Sequence, residues 1–314
     1  MKVLVINLDK AEERWKSINR EFLNANLNLE RVQAIDSKTI DLSLTSMKCK
    51  FFCPKVAIAI TMSHIKAWSI AIQSEEESVL ICEDDILLKK DFLQSLESAK
   101  QELPLNWDIL FVGCLFCQSN SSFANFLMNL TFKKNRSSNN HYSEHLKIPE
   151  FVFGSHAYLV SKQGLHKLKH YFSKIQHAVD IQLHNLISEG KLNAFSLKNV
   201  LASQKVSVSA STITSSVPRF AKGLDNFFLA PEVSLRYGLS YPITTLGSQE
   251  LNGWIYVSFI YGFISGFFPF SKPFALLVIF LLPDLFEKDT SVIPIIVSFC
   301  IGWISGNALK RKII

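Results

Sequence analysis

Glu83-Asp84-Asp85 follows directly on the apolar run Val79-Leu80-Ile81-Cys82. The run is short and β-prone, which predicts a buried strand. Three carboxylates at its end repel one another unless a positive charge sits among them. A hard divalent cation, Mn²⁺ or Mg²⁺, is held by oxygen ligands of this kind and often carries a substrate diphosphate as well. In open α/β sheets, ligands bind outside the carboxyl ends of the strands. Alternate strand residues share a face, so Glu83 and Asp85 are expected to point together. The same acids could instead form a solvated turn capping the next segment.

The surrounding elements are those of an α/β domain. Residues 2–8 predict a first buried strand. Asp9 with Glu12 three residues on has the capping-box pattern, and Trp15, Ile18 and Phe22 follow at helical spacing. Residues 31–35 predict a second strand, ending at Asp36. Pro54 opens a long helix to about Gln73, and Asp91 begins another. Residues 107–113 and 151–160 read as strands, Ser161 as a helix cap, and residues 179–188 as a helix. Residues 118–150 are polar and long for a loop, which suits a lid or an acceptor-binding insert. Neither G-x-G-x-x-G nor G-x-x-x-x-G-K-[ST] occurs, so a glycine-rich phosphate loop is excluded. Metal and basic side chains remain as the way to hold a diphosphate.

Apolar residues make up 48% of the 314 positions, and the excess lies at one end. Residues 252–270 and 291–309 are each about long enough to cross a bilayer. The stretch 274–286, with Pro283, could be re-entrant or a third span. Residues 206–251 read as a tether. The net charge of +6, with Lys310-Arg311-Lys312 at the end, suits an anionic membrane surface. No basic stripe with interleaved aromatics suggests nucleic acid. The opening residues lack a secretory pattern, which places the globular part in the cytosol. The positive-inside rule puts the basic end there too, giving an even number of crossings, most simply two. Cys49, Cys53, Cys114 and Cys117 could make a zinc site, but in a reducing compartment they read as small core hydrophobes. Asn120, Asn129 and Asn135 each begin an N-x-S/T triplet.

Six stretches in order resemble one family, glycosyltransferase family 25, which includes the lipooligosaccharide and procollagen galactosyltransferases. They are Val5-Ile6-Asn7-Leu8-Asp9 with Glu13-Arg14, Ser63-His64 with Trp68, and Leu80 to Ile86 around the acids. Trp107 to Gly113, Gly154-Ser155-His156-Ala157-Tyr158 with Ser161 and Gly164, and Val179-Asp180 complete the set. The resemblance covers residues 1–205. One segment departs from it: Lys55-Val56-Ala57-Ile58-Ala59 stands where the family has G-E-I-G-C.

The resemblance implies an A-type glycosyltransferase fold, a mostly parallel α/β sheet; the C-terminal helical membrane anchor read from the apolar runs is not part of the family pattern. It implies a UDP-sugar donor, a saccharide or lipid-linked acceptor, and a divalent metal, Mn²⁺ before Mg²⁺. Asp85 is expected as the direct ligand, with Glu83 or Asp84 acting through water or the sugar hydroxyls. Asn7 and Leu8 would contact the base. Arg14 could reach a phosphate or pair with Glu12 or Glu13. Asp36 could bond base or ribose, or serve only as a turn residue. Asp180 is the candidate carboxylate base for an inverting transfer, and could instead bind metal. His156 could face the cleft or be a core histidine. His64 and Trp68, one turn apart, read as structural. The competing functions are a degenerate transferase serving as a membrane subunit and a lumenal protein galactosyltransferase, the latter prompted by the K-x-K-x-x ending.

Overall fold

The computed structural model describes residues 1–115, 117, 132–135, 137–139, 141–204, 242–246, 249–268, 277 and 293–313. The chain divides into two units, Met1–Ala210 and Ser211–Ile314.

Unit 1 begins with β1 (Lys2–Asn7), α1 (Glu12–Asn24), β2 (Glu30–Gln33), α2 (Met47–Phe52) and α3 (Lys55–Ile72). Next come β3 (Ser78–Glu83), β4 (Ile86–Leu88), α4 (Phe92–Gln101), β5 (Ile109–Leu115) and β6 (Leu146–Lys147). It closes with β7 (Phe153–Ser161), α5 (Lys162–Tyr171), α6 (Val179–Ser188), β8 (Ala194–Leu197) and β9 (Ala202–Gln204). Seven strands form one sheet in the order β2-β1-β3-β7-β5-β8-β6. β1 is parallel to β2 and β3, and β5 to β8. β7 runs antiparallel to both β3 and β5, and β6 to β8. The sheet is therefore mixed but mostly parallel, as the family resemblance implied: β1, β2, β3, β5 and β8 run one way, and β7 and β6 run against them.

Alternate residues of each strand feed two cores. Leu4, Ile6, Val79, Ile81, Phe111 and Tyr158 pack with α3, α5 and α6 on one face. Val3, Val5, Leu80, Cys82, Leu110 and Leu159 pack with α1 and α4 on the other. Burial on both faces explains why these strands read as continuous apolar runs. The 55–59 departure lies in the first turns of α3, where Ala57, Ile58 and Ala59 are buried and Ile58 packs on Cys49 and Ile175.

Several local expectations are corrected. α1 starts at Glu12 with Ala11 at its cap and no capping side chain, so the capping box at Asp9 does not form. Asp9 instead accepts from Gln33 Nε2. Cys49–Cys53 and Cys114–Cys117 are disulfides, so these four are neither free thiols nor ligands of a four-thiolate zinc site. Asn135 is buried and its amide donates to the Pro149 carbonyl at 3.0 Å, which withdraws it as a glycosylation acceptor. Asn120 and Asn129, the first part of the proposed 118–150 lid through residue 131, and most of the tether lie outside the described residues.

In unit 2, β10 (Pro242–Leu246) and β11 (Gln249–Asn252) form an antiparallel hairpin in what read as the end of the tether. They precede α7 (Gly253–Phe267) and α8 (Ile293–Ile313). By length and composition α3 and α8 could each cross a membrane, and α7 is shorter. α3 is a core helix of unit 1, with nine of its residues buried.

The β7–α5 corner rests on Asp108. Its carbonyl accepts from Ser161 N at 3.0 Å, and a Cβ at Gly164 would run into that same oxygen. Gly164→Ala is expected to lower stability by about 1–3 kcal/mol despite alanine's better helix propensity, because backbone must move. Urea unfolding of the variant checks this.

Candidate active site

The pairing of β1 with β3 sets Ile6 beside Glu83, so the carboxyl ends of the two strands lie together. Asn7 ends β1 and is 1% exposed. Its amide nitrogen donates to Asp84 Oδ2 and to the Ala11 carbonyl. Its oxygen accepts from Arg31, whose guanidinium lies 5.1 Å over the Trp15 ring and also reaches the Leu8 carbonyl. Arg31, not singled out from the sequence, thus braces Asn7. The available signal was its place in β2, two residues before Gln33, which lies opposite Asn7.

β3 ends at Glu83, and the strand alternation ends with it. Glu83 faces the α3 layer, where Ser155 Oγ donates to Oε1 at 3.3 Å and His64 Nε2 lies 3.5 Å away. Asp84 and Asp85 turn toward α1. Arg14, from the first turn of α1, pairs with Asp84 Oδ1 and lies 3.2 Å from Asp85 Oδ2. Gln204 Nε2, at the end of β9, donates to Asp85 at 3.1 Å. The expectation that Glu83 and Asp85 share a face is therefore corrected, because residue 85 is already in the turn. Gln204 carried no signal in the sequence; 119 positions separate it from its partner. Arg14 takes neither Glu12 nor Glu13 but the buried acids.

The electrostatics differ across the three acids. Burial alone would lift Glu83, but the His64 hydrogen bond and charge hold its carboxyl below the ordinary value. Burial raises Asp84, with Arg14 and Asn7 opposing. Burial and then the charge of Glu83 push Asp85 up to about 7. Asp85 Oδ1 and Arg14 Nε are buried without a hydrogen-bond partner among the described residues.

Asp180 lies in the first turn of α6, where its carboxylate accepts from Ile181 N at 2.8 Å. Burial, with Glu83 adding to it, raises its pKa. His156 is 3% exposed, so it lies in the core under the site and not at an open cleft. Burial lowers its pKa, and its Nδ1 has no hydrogen-bond partner among the described residues. Asp36 is not brought to the acids. It pairs with Lys10 at 2.6 Å and accepts from Lys38 N, the turn role.

The residues present fit a hard divalent ion. Asp84 and Asp85 offer carboxylate oxygens only, one of them buried and unpartnered, and an added positive charge would relieve the repulsion now met by Arg14. Elsewhere, Glu102, Glu144 and His145 bring ligand atoms within 4.8 Å of one another. That group is largely exposed, and Glu102 is already engaged by His145 and Ser143.

The family model described as glycosyltransferase family 25 (LPS biosynthesis protein) matches residues 1–183. The chain belongs to this family. The match spans β1, the acids, β7 and Asp180. This family 25 chain is also similar to procollagen galactosyltransferase 2 of Mus musculus, at 21% identity over 35% of this chain and 20% of that protein. The Homo sapiens protein of the same name is 22% identical over the same shares. The chain thus spans about a fifth of the length of these relatives. Among solved structures, the inositol-1-phosphate CTP transferase from T. maritima is 11% identical, with a TM-score of 0.32 over 65% of this chain and 70% of that one. Mouse xyloside xylosyltransferase 1, apo form, is 13% identical, with a TM-score of 0.30 over 60% and 69%. Likeness at that level is too low to place side chains.

Because the folded pKa of Asp85 lies above its unfolded value, ionisation costs stability as pH rises from about 4 through about 7. Asp85→Asn is expected to raise the melting temperature of the metal-free protein at about pH 8. Near pH 5, where Asp85 holds its proton in the fold, the gain should shrink. Thermal unfolding at both values, in chelator, checks the sign.

Proposed function

We propose that this family 25 chain is a membrane-anchored, metal-dependent hexosyltransferase. It moves galactose or a similar hexose from a UDP-sugar to a saccharide acceptor, such as a lipid-linked or lipopolysaccharide-type glycan. The galactose assignment follows the similarity to procollagen galactosyltransferase 2, and the acceptor class follows the family's tie to LPS biosynthesis. The observation that carries the reading is the meeting of Asn7, Arg14, Asp84 and Asp85 at adjoining strand ends, with a buried carboxylate oxygen left unpartnered.

In this reading unit 1 is the catalytic domain, of the A-type transferase fold. Asp85 is the direct metal ligand, and Asp84 and Glu83 support it or bond sugar hydroxyls. When bound, Mn²⁺ or Mg²⁺ would neutralise the charge that develops on the leaving diphosphate. Arg14 stands where it can exchange an acid for a phosphate oxygen, and its guanidinium fork suits that geometry. Asn7, braced by Arg31, and the Leu8 backbone meet the nucleotide base. Asp180 takes the proton of the acceptor hydroxyl in an inverting displacement; its raised pKa brings it closer to the range useful to a base near neutrality. His156 supports the donor pocket from beneath. Asp36 has no part, since Lys10 occupies it.

The membrane reading rests on α8, which is long and apolar enough to span, and on the basic Lys310, Arg311 and Lys312 in its last turn. An anchor would keep the enzyme beside a lipid-linked acceptor.

UDP release by the detergent-solubilised chain, screened over UDP-sugars with Mn²⁺, tests the proposal. Release from one donor should vanish in chelator and fall at least about a hundredfold in Asp85→Ala. Arg14→Ala should raise the donor KM by roughly 10-fold or more, the value of a lost charged hydrogen bond. Absence of both release and UDP binding would favour the degenerate-subunit reading.

Metal affinity should also rise with pH. Asp85 must shed its proton to bind, so Mn²⁺ titrations at about pH 6 and pH 8 are expected to give tighter binding at the higher value.

A further inference from the structure

α7 and α8 carry the same spacing of small residues. Ser258, Gly262 and Gly266 recur every fourth position on one, and Ser298, Gly302 and Gly306 on the other. The two stripes face each other. Ser258 Oγ donates to the Ile295 carbonyl at 2.7 Å, and Ser298 Oγ to the Ile255 carbonyl at 2.7 Å. A Cβ at Gly262 would strike the Phe299 carbonyl oxygen, and one at Gly302 that of Phe259. Gly266 stands likewise against Trp303, and Gly306 against Phe263. Small residues at every fourth position are what lets two apolar helices bring their backbones together in lipid.

The order of these contacts fixes direction. Positions 255 and 258 meet 298 and 295, positions 259 and 262 meet 302 and 299, and positions 263 and 266 meet 306 and 303. Numbers rise together on both helices, so the pair is parallel. Two helices consecutive across a single membrane turn would be antiparallel. On their outer faces Val257, Ile260, Ile264, Val297, Ile301 and Ile304 are exposed, a surface suited to lipid. At 1.5 Å per residue α8 is roughly 30 Å long and α7 roughly 22 Å.

We infer that α7 and α8 cross the bilayer in the same direction. The start of α7 and the Lys310-Arg311-Lys312 end of α8 then lie on opposite faces of the membrane. The inference rests on the membrane-anchored reading given above. It replaces the expectation that both ends of the anchor lie on one face; the apolar stretch 274–286 lies outside the described residues except for residue 277. With the basic end in the cytosol by the positive-inside rule, the start of α7 lies on the other side.

The test uses the full chain with one epitope tag before Met1 and another after Ile314, in a bacterial inner membrane. Alkaline carbonate extraction comes first; a chain released in soluble form overturns the anchored reading and this inference together. If it stays in the membrane, protease is added to spheroplasts and to inverted vesicles. One tag should be lost only from spheroplasts and the other only from inverted vesicles. Loss of both tags from the same preparation overturns the inference and leaves the anchor standing. Oxidative cross-linking in a Cys300→Ser background reads the register directly. Ile255→Cys with Ser298→Cys should cross-link, and Ile255→Cys with Asn307→Cys should not; any other pattern overturns it.

Discussion

Three carboxylates at one strand end repel each other, and the geometry of unit 1 answers that repulsion. Glu83 is turned to the α3 side of the sheet, where histidine and serine meet it. Asp84 and Asp85 are turned to the α1 side, where one guanidinium serves both. The split depends on β3 ending at residue 83 and on its parallel pairing with β1, which brings Asn7 and the start of α1 alongside. The compensation is incomplete. One arginine faces two acids in a desolvated site, and the shortfall appears as the raised pKa of Asp85 and its bare oxygen. A site left short of positive charge is one into which a cation can enter with net electrostatic gain.

The sheet supplies rigidity where it is needed. Each of β1, β3, β5 and β7 is buried on both faces, so its end is held by two cores at once. Functional side chains placed at such ends inherit that fixity, whereas residues on the surrounding turns keep the freedom to change partners. Arg14, in the first turn of α1, sits between these regimes, as suits a group asked to exchange a carboxylate for a phosphate.

Much of this was legible in the amino-acid order. Residues 179–188 were read as a helix with the bounds observed for α6, and the strand before the acids stood out, because burial leaves an apolar signature. Direction does not. β7 has the same apolar look as β3 and β5 on either side of it, so its antiparallel course had no local trace. Short strands such as β4, β8 and β9, of three or four residues, are made by pairing and not by propensity. At the site, the acids stand out through residue type and strand position, and Asn7 and Arg14 through the family resemblance. Arg31 and Gln204 do not, since a side chain that braces another across the fold leaves no spacing to read. Asp36 carried two readings for the converse reason: a carboxylate at a strand end looks the same whether it faces a ligand or the lysine that pairs with it.

One consequence of the α3 packing concerns the ring that meets Glu83. The Trp68 indole can only donate, and it donates to the Tyr158 oxygen at 2.9 Å. The same oxygen meets His64 Nδ1 at 2.8 Å. The opposite ring nitrogen, Nε2, lies 3.5 Å from Glu83. An indole two contacts distant thereby fixes how the imidazole is presented to a buried anion. The charge that Glu83 keeps, and the field it casts on Asp85, lean on a tryptophan that touches neither acid.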